Sequence, residues 1–351
     1  MKAPFVPQLL RYLALAYTAL VVYASLHPFS GWRDPGISPF TFLDAGWPRW
    51  WTGFDLVINI LAYLPLGYLL TLALPHPSGR RLLPALAGAV LAAVISFCLE
   101  SLQTWLPSRV PSNLDLACNA AGGAIGAVLA WRGGTRGLTW LAHAERELIA
   151  PIPHAELGLV LLGLWLLTQL SPETLLFGAG DLRQLLELTP AIAYAAPSFF
   201  AMETAIIACN TLAIGLIART LLASRGSSLA VLAMFFLFAL AIRGLSAAVL
   251  VGPRGAMAWL TPGAGLGLAI GGAALVLGLL VPAAWRVALA GLALMAGTVL
   301  VNLAPANPYS TVALAAWRHG HFLNFNGLTR LVASLWPFLA LPYLTLLGRR
   351  L

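Results

Sequence analysis

Residues 83–103 read LPALAGAVLAAVISFCLESLQ, an apolar stretch whose polar side chains lie only near its carboxyl end. A helix rises 1.5 Å per residue, so about 20 such residues cross the roughly 30 Å hydrocarbon layer of a membrane. Because no water is available there to satisfy the backbone, this stretch is predicted to be a transmembrane helix.

Apolar stretches of similar length recur along the chain and predict about ten transmembrane helices. The predicted spans are residues 8–26, 54–74, 83–103, 114–131, 155–171, 197–220, 229–251, 264–281, 286–303 and 329–347. The composition agrees, since 60% of the 351 residues are hydrophobic and only 9% are charged, whereas soluble domains carry about 25% charged residues. β-Barrel strands would be shorter and would alternate apolar with polar residues. The predicted fold class is therefore all-α, a polytopic membrane helix bundle.

The basic residues predict the orientation of this bundle. Ten spans place both termini on one side, and most of the 20 Lys and Arg residues fall in loops on that side. Cytoplasmic loops carry such an excess, so we expect both termini in the cytoplasm. The basic residues occur singly or in pairs and never in a run, so the net charge of +8 does not indicate nucleic-acid binding.

The stretch 132–154 differs from the other predicted inner loops, which are mostly short. It starts with basic residues and has an amphipathic character. We interpret it as a cytoplasmic linker that divides the chain into a four-helix membrane domain, 1–131, and a six-helix membrane domain, 155–351.

Polar side chains that are costly in a membrane cluster at one end of the second, third and fourth predicted helices. They are Asp55 and Asn59 in the second, Ser96, Glu100 and Gln103 in the third, Asp115 and Asn119 in the fourth, and Arg109 in the loop between the last two. Within each helix they stand three or four residues apart and therefore share a face. In the predicted orientation they lie near the outer surface, beneath the loop 27–53, whose Trp32, Trp47, Trp50 and Trp51 predict contact with the headgroup layer.

Glu100 is the most deeply placed of these acids. An ionised carboxylate in hydrocarbon costs several kcal/mol unless it finds partners or water. Glu100 must therefore be protonated, pair with Arg109, or face a water-filled pocket. The short loop allows Arg109 to fold back, and a guanidinium can bridge two carboxylates. His27, at the outer end of the first helix, is a further candidate member.

Two interpretations of this polar set are open. The groups can bind only each other and hold the helices in register. Alternatively they line a ligand-binding cleft, which we favour because three acids against one nearby arginine exceed what register needs.

The same residues resemble the VanZ-like family of bacterial membrane proteins over roughly residues 15–131. The pattern is Asp-x3-Asn, Pro-Leu-Gly, Ser-x3-Glu-x2-Gln, an arginine, Asp-x3-Asn and glycines. It is carried by Asp55, Asn59, Pro65, Leu66, Gly67, Ser96, Glu100, Gln103, Arg109, Asp115, Asn119, Gly122 and Gly126. The family is named for a protein that gives low-level resistance to teicoplanin, and its members accompany cell-envelope genes. The resemblance implies a multi-pass protein of the bacterial inner membrane with a role in the envelope, and it implies no particular reaction.

We therefore expect a protein that binds or handles an envelope lipid or a lipid-linked glycan at the outer leaflet, with membrane lipids as partners. One alternative is a membrane-embedded enzyme that uses the carboxylates as acid and base, and another is a transporter. No nucleophile stands out, so no catalytic residue is assigned. No cofactor or metal is expected, because Cys98, Cys118 and Cys209 lie inside apolar stretches as packing residues. The sequence does not indicate an oligomeric state.

The second half of the chain offers one further polar pair. Glu203 and Arg243 lie at comparable depths in the sixth and seventh predicted helices. We expect a buried ion pair between them with a structural role.

Overall fold

The structure is a computed structural model that describes residues 5–48, 52–75, 82–171, 174–183, 186, 194–223, 228–250, 252–305 and 323–349. It is 76% helical, and the described residues form no strand. The prediction of an all-α polytopic bundle is confirmed. The chain divides into two compact units, Met1–Glu145 and Arg146–Leu351.

Five helices lie within the described residues of the first unit. They are α1 (Phe5–Leu26), the short α2 (Thr41–Asp44), α3 (Gly53–Ala73), α4 (Leu82–Gln103) and α5 (Asn113–Leu148), whose last residues belong to the second unit. Helices α1, α3 and α4 pack together around an apolar core. This core contains Val21, Leu26, Tyr63, Leu66, Ala92 and Leu99.

The second unit is built around one buried helix. Its helices are α6 (Ala155–Thr168), α7 (Ala196–Leu221), α8 (Ser228–Leu250), α9 (Pro262–Gly278), α10 (Ala283–Leu303) and α11 (Leu323–Gly348), with a 3₁₀ turn at Pro253–Gly255. Helix α7 packs against both α9 and α10. Trp165 of α6 is fully buried and stacks on Phe235 of α8.

Eight helices of the described part of the chain are long and apolar enough to cross a membrane. They are α1, α3, α4, α5, α7, α8, α10 and α11. Helices α6 and α9 are apolar but have 14 and 17 residues, fewer than the roughly 20 that a full crossing needs. These ten helices correspond to the ten predicted spans, and the cytoplasmic placement of both termini stays a prediction.

Helices α3 and α5 approach each other closely through glycines. A Cβ atom at Gly67 of α3 would overlap the backbone of Gly123, and one at Gly126 of α5 would overlap the Leu64 carbonyl oxygen. Small residues allow helix backbones to meet in this way inside a membrane. The polar ends of the two helices are thereby held at a fixed separation.

The stretch 132–154 begins as a continuation of α5, which runs without interruption to Leu148. The boundary between the two units falls inside this helix, after Glu145. The domain limits 1–131 and 155–351, with a linker between them, stay a prediction.

Candidate functional site

A polar cluster lies at one end of α3, α4 and α5, and hydrogen bonds join its members in pairs. We define the polar cluster as Asn59, Ser96, Glu100, Ser112, Asp115 and Asn119. The pairs are Glu100 with Ser112, Asn59 with Asp115, and Ser96 with Asn119. Spacing within each helix predicts which residues share a face, and the fold brings the three faces together.

Glu100 stands near the end of α4 and is only 5% exposed. Its Oε2 atom accepts a hydrogen bond of 2.9 Å from the backbone N–H of Ser112. The Ser112 hydroxyl in turn accepts from the backbone N–H groups of Leu114 and Asp115, which caps the start of α5. The carboxylate therefore lies beside the amino end of a helix, where the helix dipole favours negative charge.

Asp115, in the first turn of α5, connects that helix to α3. Its Oδ1 atom accepts a hydrogen bond of 2.7 Å from Nδ2 of Asn59. Both side chains are half-buried. With Glu100, Asp115 gives the polar cluster two acids.

Asn119 and Ser96 form the most deeply buried pair of the cluster, at 5% and 0% exposure. The Asn119 Nδ2 atom donates to the Ser96 hydroxyl over 3.0 Å. The Asn119 Oδ1 atom is buried and accepts no hydrogen bond from the described part of the chain. An unsatisfied buried acceptor is uncommon in folded proteins and calls for an explanation.

Arg109 folds back as predicted, but its partner is a different element. Its Nε and Nη2 atoms donate to the carbonyl oxygen of His27, and Nη2 also donates to that of Ala24, at 2.8–3.1 Å. The guanidinium thus satisfies carbonyl groups at the end of α1. Among the described residues it forms no ion pair, so the expected bridge between two carboxylates is not found. The pKa of Arg109 is lowered overall, because the effect of burial exceeds the opposing effect of nearby Glu100.

Three other predicted site residues bond to groups outside the polar cluster. Gln103 is buried and donates to the Ser25 carbonyl oxygen, and the His27 ring hydrogen-bonds the Tyr23 hydroxyl. Asp55 completes a capping box with Thr52 at the start of α3. The Gln103 contact joins the end of α4 to α1, and the capping box fixes the start of α3.

The loop between α1 and α3 lies over the same end of the unit. The Arg33 backbone N–H donates to the Trp105 carbonyl oxygen, and the Asn113 side chain donates to the Ala45 carbonyl oxygen. Trp32 and Trp47 of this loop are 43% and 71% exposed. Trp50 and Trp51, the other two predicted belt residues, lie outside the described residues.

Ser112 stands in the loop between the third and fourth predicted helices, but the predicted site residues did not include it. The available signal was a serine directly before the first residues of a predicted helix, which is typical of an N-cap. The hydrogen bond from its backbone to Glu100 depends on how the α4–α5 loop folds, and residue spacing does not reveal that.

The predicted pair of Glu203 and Arg243 is wrong. The Glu203 carboxylate accepts from the Thr261 hydroxyl at 2.7 Å. Arg243 donates to the carbonyl oxygens of Ser171 and Thr174 and to the Thr174 hydroxyl. Glu203 of α7 thus bonds to the residue that precedes α9, and Arg243 of α8 bonds to the segment that follows α6. Equal depth in the membrane did not bring the two side chains together.

Within the described ranges, no three His, Cys, Asp or Glu side chains are grouped so as to hold a metal ion.

Comparison with known proteins relates the first unit to one family. Residues 9–135 match the family described as VanZ/LLP1, which confirms the resemblance seen in the sequence. No curated protein and no solved structure matches the chain. The chain is thus a multi-pass membrane protein with a VanZ-like N-terminal third.

Proposed function

We propose that the polar cluster of this VanZ-like unit binds the headgroup of an envelope lipid or of a lipid-linked glycan at the outer leaflet of the bacterial inner membrane. The main supporting observation is the convergence of Glu100, Asp115 and Asn119 from two neighbouring spans at one end of the unit. Charged and amide groups in a membrane are costly and commonly mark a functional site.

The partners of Glu100 and Asn119 argue against a purely structural role. Helix register needs each polar group to find a partner, yet Asn119 Oδ1 has none within the described part of the chain. Glu100 uses one carboxylate oxygen for Ser112, and the other oxygen forms no hydrogen bond to a described residue. The cluster therefore keeps binding capacity that its internal contacts do not use.

The neighbouring loop suits a ligand with a lipid tail. Its Trp32 and Trp47 side chains are exposed, and tryptophan is enriched in the headgroup layer of membranes. A headgroup can thus enter the polar cluster while its acyl or prenyl chains stay among apolar helix faces. Exposed side chains such as Phe54, Val57 and Leu61 form such a face on α3.

The test is lipid retention by the purified full-length protein. We expect native mass spectrometry after incubation with bacterial envelope lipids to show one retained lipid class, with retention reduced about tenfold in Glu100→Gln. Glu147→Gln is the matched control, because it is the same substitution at an exposed position of α5. Equal retention by wild type and a folded Glu100→Gln protein would refute the proposal. A chemically altered lipid would instead support the enzyme alternative.

A cellular measurement addresses the envelope role. Expression of the wild-type chain in a teicoplanin-sensitive bacterium is expected to lower sensitivity, whereas Glu100→Gln at the same protein level is not. Identical teicoplanin sensitivity with the wild-type chain and with an empty vector would show that this protein does not confer glycopeptide resistance.

A further inference from the structure

We infer that the polar cluster recognises its ligand through a protonated amine whose N–H groups donate to Glu100 and Asn119. The inference rests on the proposed function and specifies the chemical class of the headgroup. It follows from the kind of hydrogen-bonding capacity that the polar cluster leaves unused.

The unused capacity consists of acceptors. The second carboxylate oxygen of Glu100 and the Oδ1 atom of Asn119 form no hydrogen bond within the described ranges. A carboxylate oxygen and an amide oxygen accept hydrogen bonds and cannot donate them. The amide N–H of Asn119 already donates to the Ser96 hydroxyl, so the amide oxygen is the part of this side chain that has no partner among the described residues. A ligand that supplies donors would satisfy both oxygens.

The charge of the polar cluster distinguishes between possible donors. The polar cluster contains two acids, Glu100 and Asp115, and no basic residue, and the nearby guanidinium of Arg109 donates to the end of α1. A phosphate placed here would add negative charge to a region where solvent screens poorly. A hydroxyl would supply a donor without charge, whereas an ammonium supplies three donors and the opposite charge.

A protonated amine can come from two kinds of envelope molecule. It is the terminal group of an ethanolamine phospholipid, and it is also present on an amino sugar in a glycolipid. Both present N–H donors on a positive nitrogen, so the polar cluster would recognise the same feature in each.

The experiment compares lipids that differ only in the headgroup. Purified full-length protein is incubated with equal amounts of phosphatidylethanolamine, phosphatidylcholine and phosphatidic acid of one acyl composition, and retained lipid is measured by native mass spectrometry. Phosphatidylcholine keeps the positive charge but lacks N–H donors, and phosphatidic acid lacks the amine. We expect phosphatidylethanolamine to be retained about tenfold more than either.

A separate incubation with a phosphate-free glucosamine glycolipid distinguishes the sources. Retention equal to that of phosphatidylethanolamine shows that the amine alone suffices. Much weaker retention of the glycolipid shows that the ligand is an amine-bearing phospholipid. Both results support the inference.

Variants separate failure of the inference from failure of the proposed function. The preference for phosphatidylethanolamine should disappear in Glu100→Gln and persist in Glu147→Gln. Retention that depends on Glu100 can still be equal for all three phospholipids, or equal for phosphatidylethanolamine and phosphatidylcholine. Either result overturns recognition of the amine and leaves the proposed headgroup binding intact. A preference that survives in Glu100→Gln also overturns the inference. If no lipid depends on Glu100, the proposed function fails as well.

Discussion

The Glu100 carboxylate at the end of α4 accepts a hydrogen bond of 2.9 Å from the backbone N–H of Ser112, the residue that caps α5. This contact joins the end of α4 to the last residue of the loop 104–112, which leads into α5. Both residues are buried, at 5% and 7% exposure, so solvent does not readily replace either partner. Glu100 is thus both a residue of the proposed binding site and a contact that stabilises the fold. Substitutions can separate the binding role from the structural role.

Glu100→Gln should be more stable than Glu100→Ala. Both changes remove the charge, but glutamine keeps an oxygen that can accept from the Ser112 N–H, whereas alanine leaves this buried donor without a partner. We expect a difference of about 1–3 kcal/mol in the free energy of unfolding, measured by denaturation in detergent. Equal stability of the two variants would show that the hydrogen bond does not matter for folding.

Arg109→Ala should destabilise the first unit because three hydrogen bonds to the carbonyl oxygens of Ala24 and His27 are lost. Hydrogen bonds that involve a charged group contribute about 1.5–3 kcal/mol, so a loss in that range is expected. Arg33→Ala is the matched control, since the Arg33 side chain is exposed in the neighbouring loop. Thermal unfolding in detergent measures both, and identical midpoints would contradict the capping role.

Gly126→Ala should weaken the packing of α3 on α5. The added Cβ would overlap the Leu64 carbonyl oxygen, and backbone cannot move aside as a flexible side chain can. Overpacking of this kind costs about 1–3 kcal/mol or more. Gly133→Ala on the same helix is the control, because a Cβ there would meet nothing within 4 Å. Folded yield and thermal stability of the two variants should differ clearly; similar values would argue against a close helix contact.

The Ser96 and Asn119 pair is suited to a double-mutant cycle. Ser96→Ala removes the acceptor of the buried Asn119 amide and should cost about 1–3 kcal/mol. Adding Asn119→Leu removes the stranded donor, so the double variant should be more stable than the sum of the single changes predicts. Strictly additive unfolding free energies would mean that the 3.0 Å contact does not couple the two residues.

Residue identities near the ends of α3, α4 and α5 were enough to predict five of the six members of the polar cluster. Asn59, Ser96, Glu100, Asp115 and Asn119 stand at helical spacings within apolar spans, and the cost of such groups in a membrane drives them toward one another. The prediction grouped Gln103, His27 and Asp55 with them by position along the chain. Their partners, however, lie in α1 or in the capping box of α3.

The order of residues was sufficient to predict a bundle of apolar helices with polar side chains near one end of three of them. Helix length, hydropathy and helical spacing depend on neighbours in the chain, so the sequence displays them directly. The tertiary structure alone decided that Arg109 caps α1, that Ser112 binds Glu100 and that Asn119 keeps an unused oxygen. Those outcomes depend on the fold of a loop and on atoms that approach within about 3 Å, and residues distant in sequence set both.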